Sequence, residues 1–477
     1  MPHAASPAHA DRPDRHMFSI VRHLSFLSTD RDAGRVPAAA AMSGNGVVFS
    51  RSKKVLGGSD VGMIGMIDGQ EHLVKTGISR SLLGQAVTFC VNGQVDQANK
   101  RLGFIVDGAT RLLKTDPKQG NQKQVLIQAF HAFLQTDKGK QLADKAKTDA
   151  LDIADVGDIH ASLVDADPQL RNTLGVPILF DVINVAAGQQ LVNALQGTYL
   201  PKKHMPDSSL LAVQNNALIA SRLIPEAKPL DTFLTEAFLP RGVSLKDAKR
   251  AAALVKAPPA TSSANSDELT QAQALMAQIN NPDHLRAGKQ ALKETLDDKG
   301  LDGLFVSLLA RFTLGEDSDL GPDNMLVVPG DDGRNKTVSI DVTGFRYEWE
   351  NDTPADPRNP PRHGWGKVID NPALALDVLL DGSVMKSRYA RGLESVHAAV
   401  VDCLRDALHQ NATPEAQAVK RWYAALDVHA STASLLALHQ GLGDIAKAPW
   451  MPDAGLVDQV LERNAGFIND IVHRART

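Results

Sequence analysis

Cysteine is scarce. The 477-residue chain carries two, Cys90 and Cys403, and thiols so far apart make no disulfide framework, which points to a reducing compartment. No apolar run approaches the roughly 20 residues needed to span a bilayer. Charge of one sign is not in excess either, since a net charge of −4 leaves no electrostatic footprint for nucleic acid. The histidines show no H-E-x-x-H or comparable metal spacing, and no internal repeat of solenoid period is present. The opening "MPHAASPAHADRPDRHM" has no apolar signal-peptide core. One further absence is local: from His72 to Pro225 there is no glutamate at all.

What is present suffices for a sizeable core, with 43% of residues hydrophobic, enough for two or three domains or one large two-lobed one. Residues 1–45, rich in Pro, Ala, His and Asp, read as a disordered arm. Such an arm suits a bacterial protein exported by a specialised secretion system, and equally an ordinary frayed terminus. From residue 46 to 77 the texture is of strands and turns, with "MIDGQEHLVK" as a hairpin turning at Asp68-Gly69. Residues 78 to about 200 repeat apolar side chains at three and four, as in "QVLIQAFHAFLQ", the period of helices with one buried face. A strand-like run at 210–225 turns at Asn215-Asn216. The Pro/Ser/Ala-rich loop at 257–269 offers Ser266 as a helix cap. Then "LDGLFVSLLARF" aligns Leu301, Leu304, Phe305, Leu308, Leu309 and Phe312 on one stripe, and residues 350–365 form a proline-rich loop. The remainder, from about 370, is helical by period.

The stripe helix runs directly into "GEDSDLGPDNMLVV" (315–328), and a short polar stretch leads on to "VSIDVTGF" (338–345). The order is buried helix, acidic turn, strand, hairpin at Asp331-Asp332-Gly333, strand, aspartate. Phosphoryl transfer from ATP needs a carboxylate to orient the acceptor hydroxyl and oxygen ligands for Mg²⁺ on the phosphates. Asp319, Asn324 and Asp341 supply those parts. A calcium loop counted from Asp317 would need a bidentate glutamate at its twelfth position, where the chain has Val328. A plain acidic surface turn is the simpler rival.

These motifs resemble the atypical branch of the protein-kinase-like superfamily, the phosphoinositide-4-kinase-like enzymes and kinase-like bacterial effectors. The loop reads "DLGPDN" and the second element "DVTG", with one extra residue before the glycine. The resemblance implies Asp319 as the catalytic aspartate and Asn324 and Asp341 as Mg²⁺ ligands. Upstream, "VLGGSDVGMIGMIDGQEHLVKTG" resembles the glycine-rich strand-turn-strand and the hairpin carrying the ATP-binding lysine. It implies ATP contacts from Gly57, Gly58, Ser59 and Gly62, and Lys75 on the phosphates. "LIASRLIPEAKPLDTFL" (218–234) resembles the strand that becomes the hinge between lobes, with Ser221, Arg222 and Leu223 meeting the adenine.

The fold so implied is α+β and two-lobed. An N-lobe would run over 46–235 with a helical insertion at about 80–175, and a mostly helical C-lobe with a C-terminal extension would run over 236–477. The implied function is ATP- and Mg²⁺-dependent phosphotransfer to a host protein or phosphoinositide, by a bacterial effector made in the cytoplasm and delivered into a host cell. The pattern departs from the family at the lysine's usual glutamate partner, for which the helix at 178–195 offers only Asp181, Asn184 and Gln189. Ser318 stands where an arginine would answer activation-loop phosphorylation, so a bound host factor is the expected activator. Two alternatives stay open: a kinase fold that transfers AMP or another group, and a non-catalytic pseudokinase scaffold. Lys202, Lys203 and His204 form a small basic cluster, read as a solvated loop or a contact to an anionic lipid or partner. Cys90 and Cys403 are expected to be inert core thiols.

Overall fold

The computed structural model describes residues 41–43, 48–54, 62–113, 121–206, 208–213, 216–256, 266–313, 324–340, 342, 392–408, 412–425 and 448–462. The fold is α+β, mostly helical, with two small sheets. The first sheet has the order β1-β5-β6-β4-β3-β2, built from β1 (Ala41–Ser43), β2 (Val48–Lys54), β3 (Gly62–Ile67), β4 (Gln70–Lys75), β5 (Ser208–Val213) and β6 (Asn216–Arg222). All its neighbours are antiparallel except β1 beside β5. The sequence-predicted arm therefore ends earlier than residue 45, because Ala41–Ser43 already pair with Leu210–Ala212.

The β3–β4 hairpin turns where the sequence places it. Ile67 faces Gln70, and Asp68 and Gly69 both take positive φ, 49° and 76°, as a two-residue hairpin turn demands. Of the other predicted turn, Asn216 pairs with Val213 and belongs to β6, and Asn215 lies outside the described residues.

Between β4 and β5 the described residues form six α-helices: α1 (Ile78–Val91), α2 (Val95–Leu113), α3 (Gln122–Gln135), α4 (Asp137–Thr148), α5 (Ile153–Ala166) and α6 (Leu170–Gln196). Their buried stripes, such as Leu126, Phe130 and Phe133 of α3, converge on one core. Caps set the breaks. Thr136 accepts from Gly139 N at 3.1 Å, and Asp152 and Asp155 form a reciprocal capping box that Lys145 neutralises at 3.0 and 2.6 Å.

Helix α6 is longer than the sequence suggests, starting at Leu170 and running through Pro177. By length and composition it could cross a membrane, but 88% of its most apolar stretch is buried in the protein. It is a core helix, mostly apolar because protein surrounds it.

The second sheet has the order β7-β8-β9, with β7 (Lys228–Pro229), β8 (Met325–Pro329) and β9 (Asn335–Ser339) antiparallel. Around it stand α7 (Leu230–Thr235), α8 (Leu245–Lys256), α9 (Ser266–Ile279), α10 (Pro282–Lys299), α11 (Leu304–Thr313), α12 (Glu394–Leu408) and α13 (Ala412–Ala425). Helix α11 is the predicted stripe helix, with Leu304, Phe305 and Leu308 almost wholly buried. Its N-terminus leaves backbone donors that need acceptors. Glu415 of α13 supplies the carboxylate, accepting from Gly303 N at 3.4 Å and Val306 N at 3.1 Å.

Burial pushes the Glu415 carboxyl up to about 7, outweighing the backbone donors that pull it down. The folded protein thus holds this proton more tightly than the unfolded chain does. The group's contribution to stability is complete below the ordinary value of 4.5 and is lost as pH rises through about 7. Glu415→Gln has no such titration. Its melting temperature should fall less than the wild-type value between about pH 5 and pH 8. Equal falls in scanning calorimetry would contradict this assignment.

Candidate functional site

Lys75 ends β4 and lies opposite Gly62 on one side and Ile219 on the other. Residues directly opposite in neighbouring strands share a face, so the next register pair identifies each face of the sheet. Val74 and Ala220, paired with each other, point into a small cluster with Leu211, Leu218 and Ile153. Ile219 joins the main core with α6. Lys75 therefore stands on the α6 side of the sheet and is 9% exposed. A Cβ at Gly62 would press on the Val74 carbonyl at 3.2 Å and be in ordinary contact with Lys75 Cγ at 3.5 Å.

Ser221 and Arg222 close β6 between two partners. Their register partners on β4 are Leu73 and His72, and Ser221 also pairs with Ser208 of β5, hydroxyl to hydroxyl at 2.7 Å. The Leu223 amide donates to Glu71 O at 2.9 Å, so it is committed to the sheet. Arg222 donates to Lys202 O and Met205 O at 2.6 and 2.8 Å. These bonds tie the basic stretch 202–204, where Lys203 also pairs with Asp331, to the end of β6. Directly after Leu223 the chain passes through Ile224–Ala227 into β7, which pairs with β8. That short link is the covalent connection from the six-stranded sheet to the three-stranded one.

Asn324 stands at the head of β8, 8% exposed, and its carbonyl accepts from Ile340 N at 2.9 Å. Ile340 precedes Asp341 in the chain. Asp319, Asp341, Gly57, Gly58 and Ser59 lie outside the described residues. The hairpin between β8 and β9 is more than a turn. Arg334 bonds Asp302 through two nitrogens at 2.9 and 2.7 Å, and Lys336, 4% exposed, bridges Asp302 and Asp332 at 2.9 and 2.7 Å. The cations hold the Asp302 carboxyl below its ordinary value despite burial that acts the other way.

Helix α6 connects these two regions. Asp181, one of the three residues weighed as the lysine's partner, accepts from Ser79 N at 2.7 Å through Oδ2. Burial beneath α1 pushes its carboxyl up to about 6, against the pull of the Ser79 donors. Two turns on, Gln189 donates to Ser339 O at 3.3 Å and to Asn193 at 3.0 Å. Asn193 donates to Pro206 O at 2.9 Å and Gln196 to Ser307 at 3.2 Å. Asn184, Gln189, Asn193 and Gln196 are all at most 9% exposed. Gln189, Asn193 and Gln196, four and three residues apart, share one face of an otherwise apolar helix, and Asn184 stands on another. Along α6, eight residues separate Asp181 from Gln189, about 12 Å at the helical rise. The end of the Lys75 strand and the residue two before Asp341 are thus held by the same helix at about that spacing.

Sequence reasoning missed Arg80. It is fully buried, donates to Asn216 Oδ1 at 2.7 Å, bonds the His160 ring at 3.0 Å and lies 4.9 Å from the Trp450 ring centre. Burial draws its pKa down to about 9, which leaves it charged at neutral pH. Burial and the Arg80 charge hold His160 neutral, so it can serve as an acceptor. The segment bearing Trp450 is fastened by Asp453, which accepts from Arg171 and Asn172 of α6 at 2.5 and 2.8 Å.

Burial raises both thiols, of Cys90 and Cys403, but only Cys403 is a core residue, Cys90 being half-buried. Among the described residues no group of three or more His, Cys, Asp or Glu could hold a metal ion. A groove of about 410 Å³ lies on another wall, lined by Glu226, Lys228, Phe233, Leu292 and Lys299 among others. It includes none of the predicted site residues. The chain matches no family model, no curated protein and no solved structure.

Trp450→Ala should remove the ring over Arg80 and its packing in the core. A loss of about 3–5 kcal/mol is expected in denaturant unfolding, the range for truncating a buried aromatic side chain. A loss below about 1 kcal/mol would show that the contact is incidental.

Proposed function

We propose that the protein is an ATP- and Mg²⁺-dependent phosphotransferase of kinase-like architecture. The observation that carries this reading is the joint anchoring on α6 of the Lys75 strand and the Asn324–Ile340 hairpin. Lys75 faces that helix, and a lysine reaches about 6 Å beyond its strand, so phosphates between the two anchors lie within range. Asn324 and Asp341 would hold Mg²⁺ through oxygen, the ligand type this ion prefers. Asp319 would orient the acceptor hydroxyl, and Lys75, with the glycine amides of 57, 58 and 62, would neutralise and cradle the phosphates. The link from Leu223 to β7 would serve as the hinge. Since the Leu223 amide is already bonded, adenine recognition falls to the backbone that follows it.

The acceptor is a protein hydroxyl or a phosphoinositide head group, and a host protein is the proposed activator. Both fit a bacterial effector, the setting the sequence resemblance implies. Purified protein incubated with Mg²⁺ and γ-labelled ATP, host-cell extract and mixed phosphoinositides should transfer label. Lys75→Ala and Asp341→Ala should each reduce transfer by roughly a hundredfold, as expected for loss of a charge-stabilising group. A parallel reaction with α-labelled ATP reads out transfer of AMP instead. Equal label in wild type and both variants would defeat the proposal.

A further inference from the structure

Helix α1 begins three residues after Lys75 with Gly77 in the capping position, where no side chain can accept its first amides, and its first turn carries no acid. The cap is supplied from 102 residues away, by Asp181 Oδ2 on Ser79 N at 2.7 Å. Gly77 is what admits it: a Cβ at that position would lie 2.6 Å from Asp181 Cβ. A glycine that cannot cap and a distant aspartate that can are therefore two halves of one contact. The corner they hold is stiff, because Thr76 Oγ1 and Ser81 Oγ are 2.8 Å apart and Ser81 Oγ bonds Gly77 O at 3.2 Å. A carboxylate at a helix N-terminus is favoured both by the unpaired amides and by the helix dipole.

We propose that Asp181 is a positioning residue, which fixes the end of the Lys75 strand to α6 through the first turn of α1, where kinase-like proteins use a side-chain pair to the lysine. The Gln189–Ser339 bond fixes the other end of the same spacer. Residues 75 to 81 then move with α6, and the lysine's place relative to the β8–β9 hairpin is set by helix geometry. The significance for transfer rests on the proposed function, but the positioning itself does not.

The test is acylation of lysines by acetic anhydride, followed by mass spectrometry, with buried Lys336 as the internal reference. In the wild type both lysines should react slowly, being 9% and 4% exposed. Asp181→Ala should speed labelling of Lys75 about fivefold with Lys336 unchanged, because access follows local opening of the corner. Gly77→Ala keeps the aspartate but drives a methyl group into it, and should act in the same direction. Asp181→Asn retains an acceptor oxygen and should stay near the wild-type rate. Should Asp181→Ala fail to fold, Gly77→Ala and Asp181→Asn decide between them. Unchanged Lys75 labelling in Gly77→Ala and in any folded Asp181→Ala, or equal acceleration at Lys336, overturns the proposal. Addition of Mg²⁺·ATP to the wild type separates the two claims. Protection of Lys75 supports the phosphotransferase reading, and its absence counts against that reading while leaving the Asp181 result intact.

Discussion

A buried helix with a polar edge organises this protein. Helix α6 has protein on every side, and an amide or carboxylate placed there without a partner would cost far more than it returns. Each polar residue whose bonds are described is used to hold a different neighbour. Asp181 holds the start of α1, Gln189 the end of β9, Asn193 the segment entering β5, and Gln196 the helix α11. An apolar face could slide in its packing, but these bonds have one register. The two sheets take their relative places from that register.

The same logic accounts for the buried charges around the edge of the core. Asp302 is compensated by Arg334 and Lys336, Glu415 by the amides that begin α11, and Arg80 by neutral acceptors and an aromatic face. Such groups add little net stability relative to well-packed apolar residues, but removing one partner strands the other. They lock segments far apart in sequence: 302 to 334, 303 to 415, and 80 to 450. Tyr199 does similar work, donating to Thr337 O at 2.9 Å between α11 and β9.

Much of this architecture is written locally. The Asp68-Gly69 hairpin and the period of α3 follow from side-chain spacing, and the structure has them there; of the stripe at 301–312, Leu304, Phe305 and Leu308 are buried on α11, while Leu301 precedes that helix. What spacing cannot give is a contact between distant residues. Asp181 is visible as an acid on a helix facing the Lys75 strand, but its use as a cap depends on Gly77 admitting it. Helix α6 begins eight residues before the helix expected at 178–195, and it runs through Pro177, a residue that removes a helical donor. Arg80 looks like a surface residue of a helical start, and its burial is explained by partners distant in the chain, His160, Asn216 and Trp450. Of the candidate site, Gly62 and Lys75 face each other on β3 and β4, and Asn324 stands at the head of β8. The resemblance that assigns their chemistry rests on the motifs themselves.

The central claim is that one triphosphate is held between the Lys75 strand and the hairpin that begins at Asn324. The most direct measurement is a crystal structure with Mg²⁺ and a non-hydrolysable ATP analogue. The account requires the phosphates within hydrogen-bonding distance of Lys75 Nζ and the metal ligated by Asn324 and Asp341. An analogue bound elsewhere, or bound with those three side chains untouched, would contradict it.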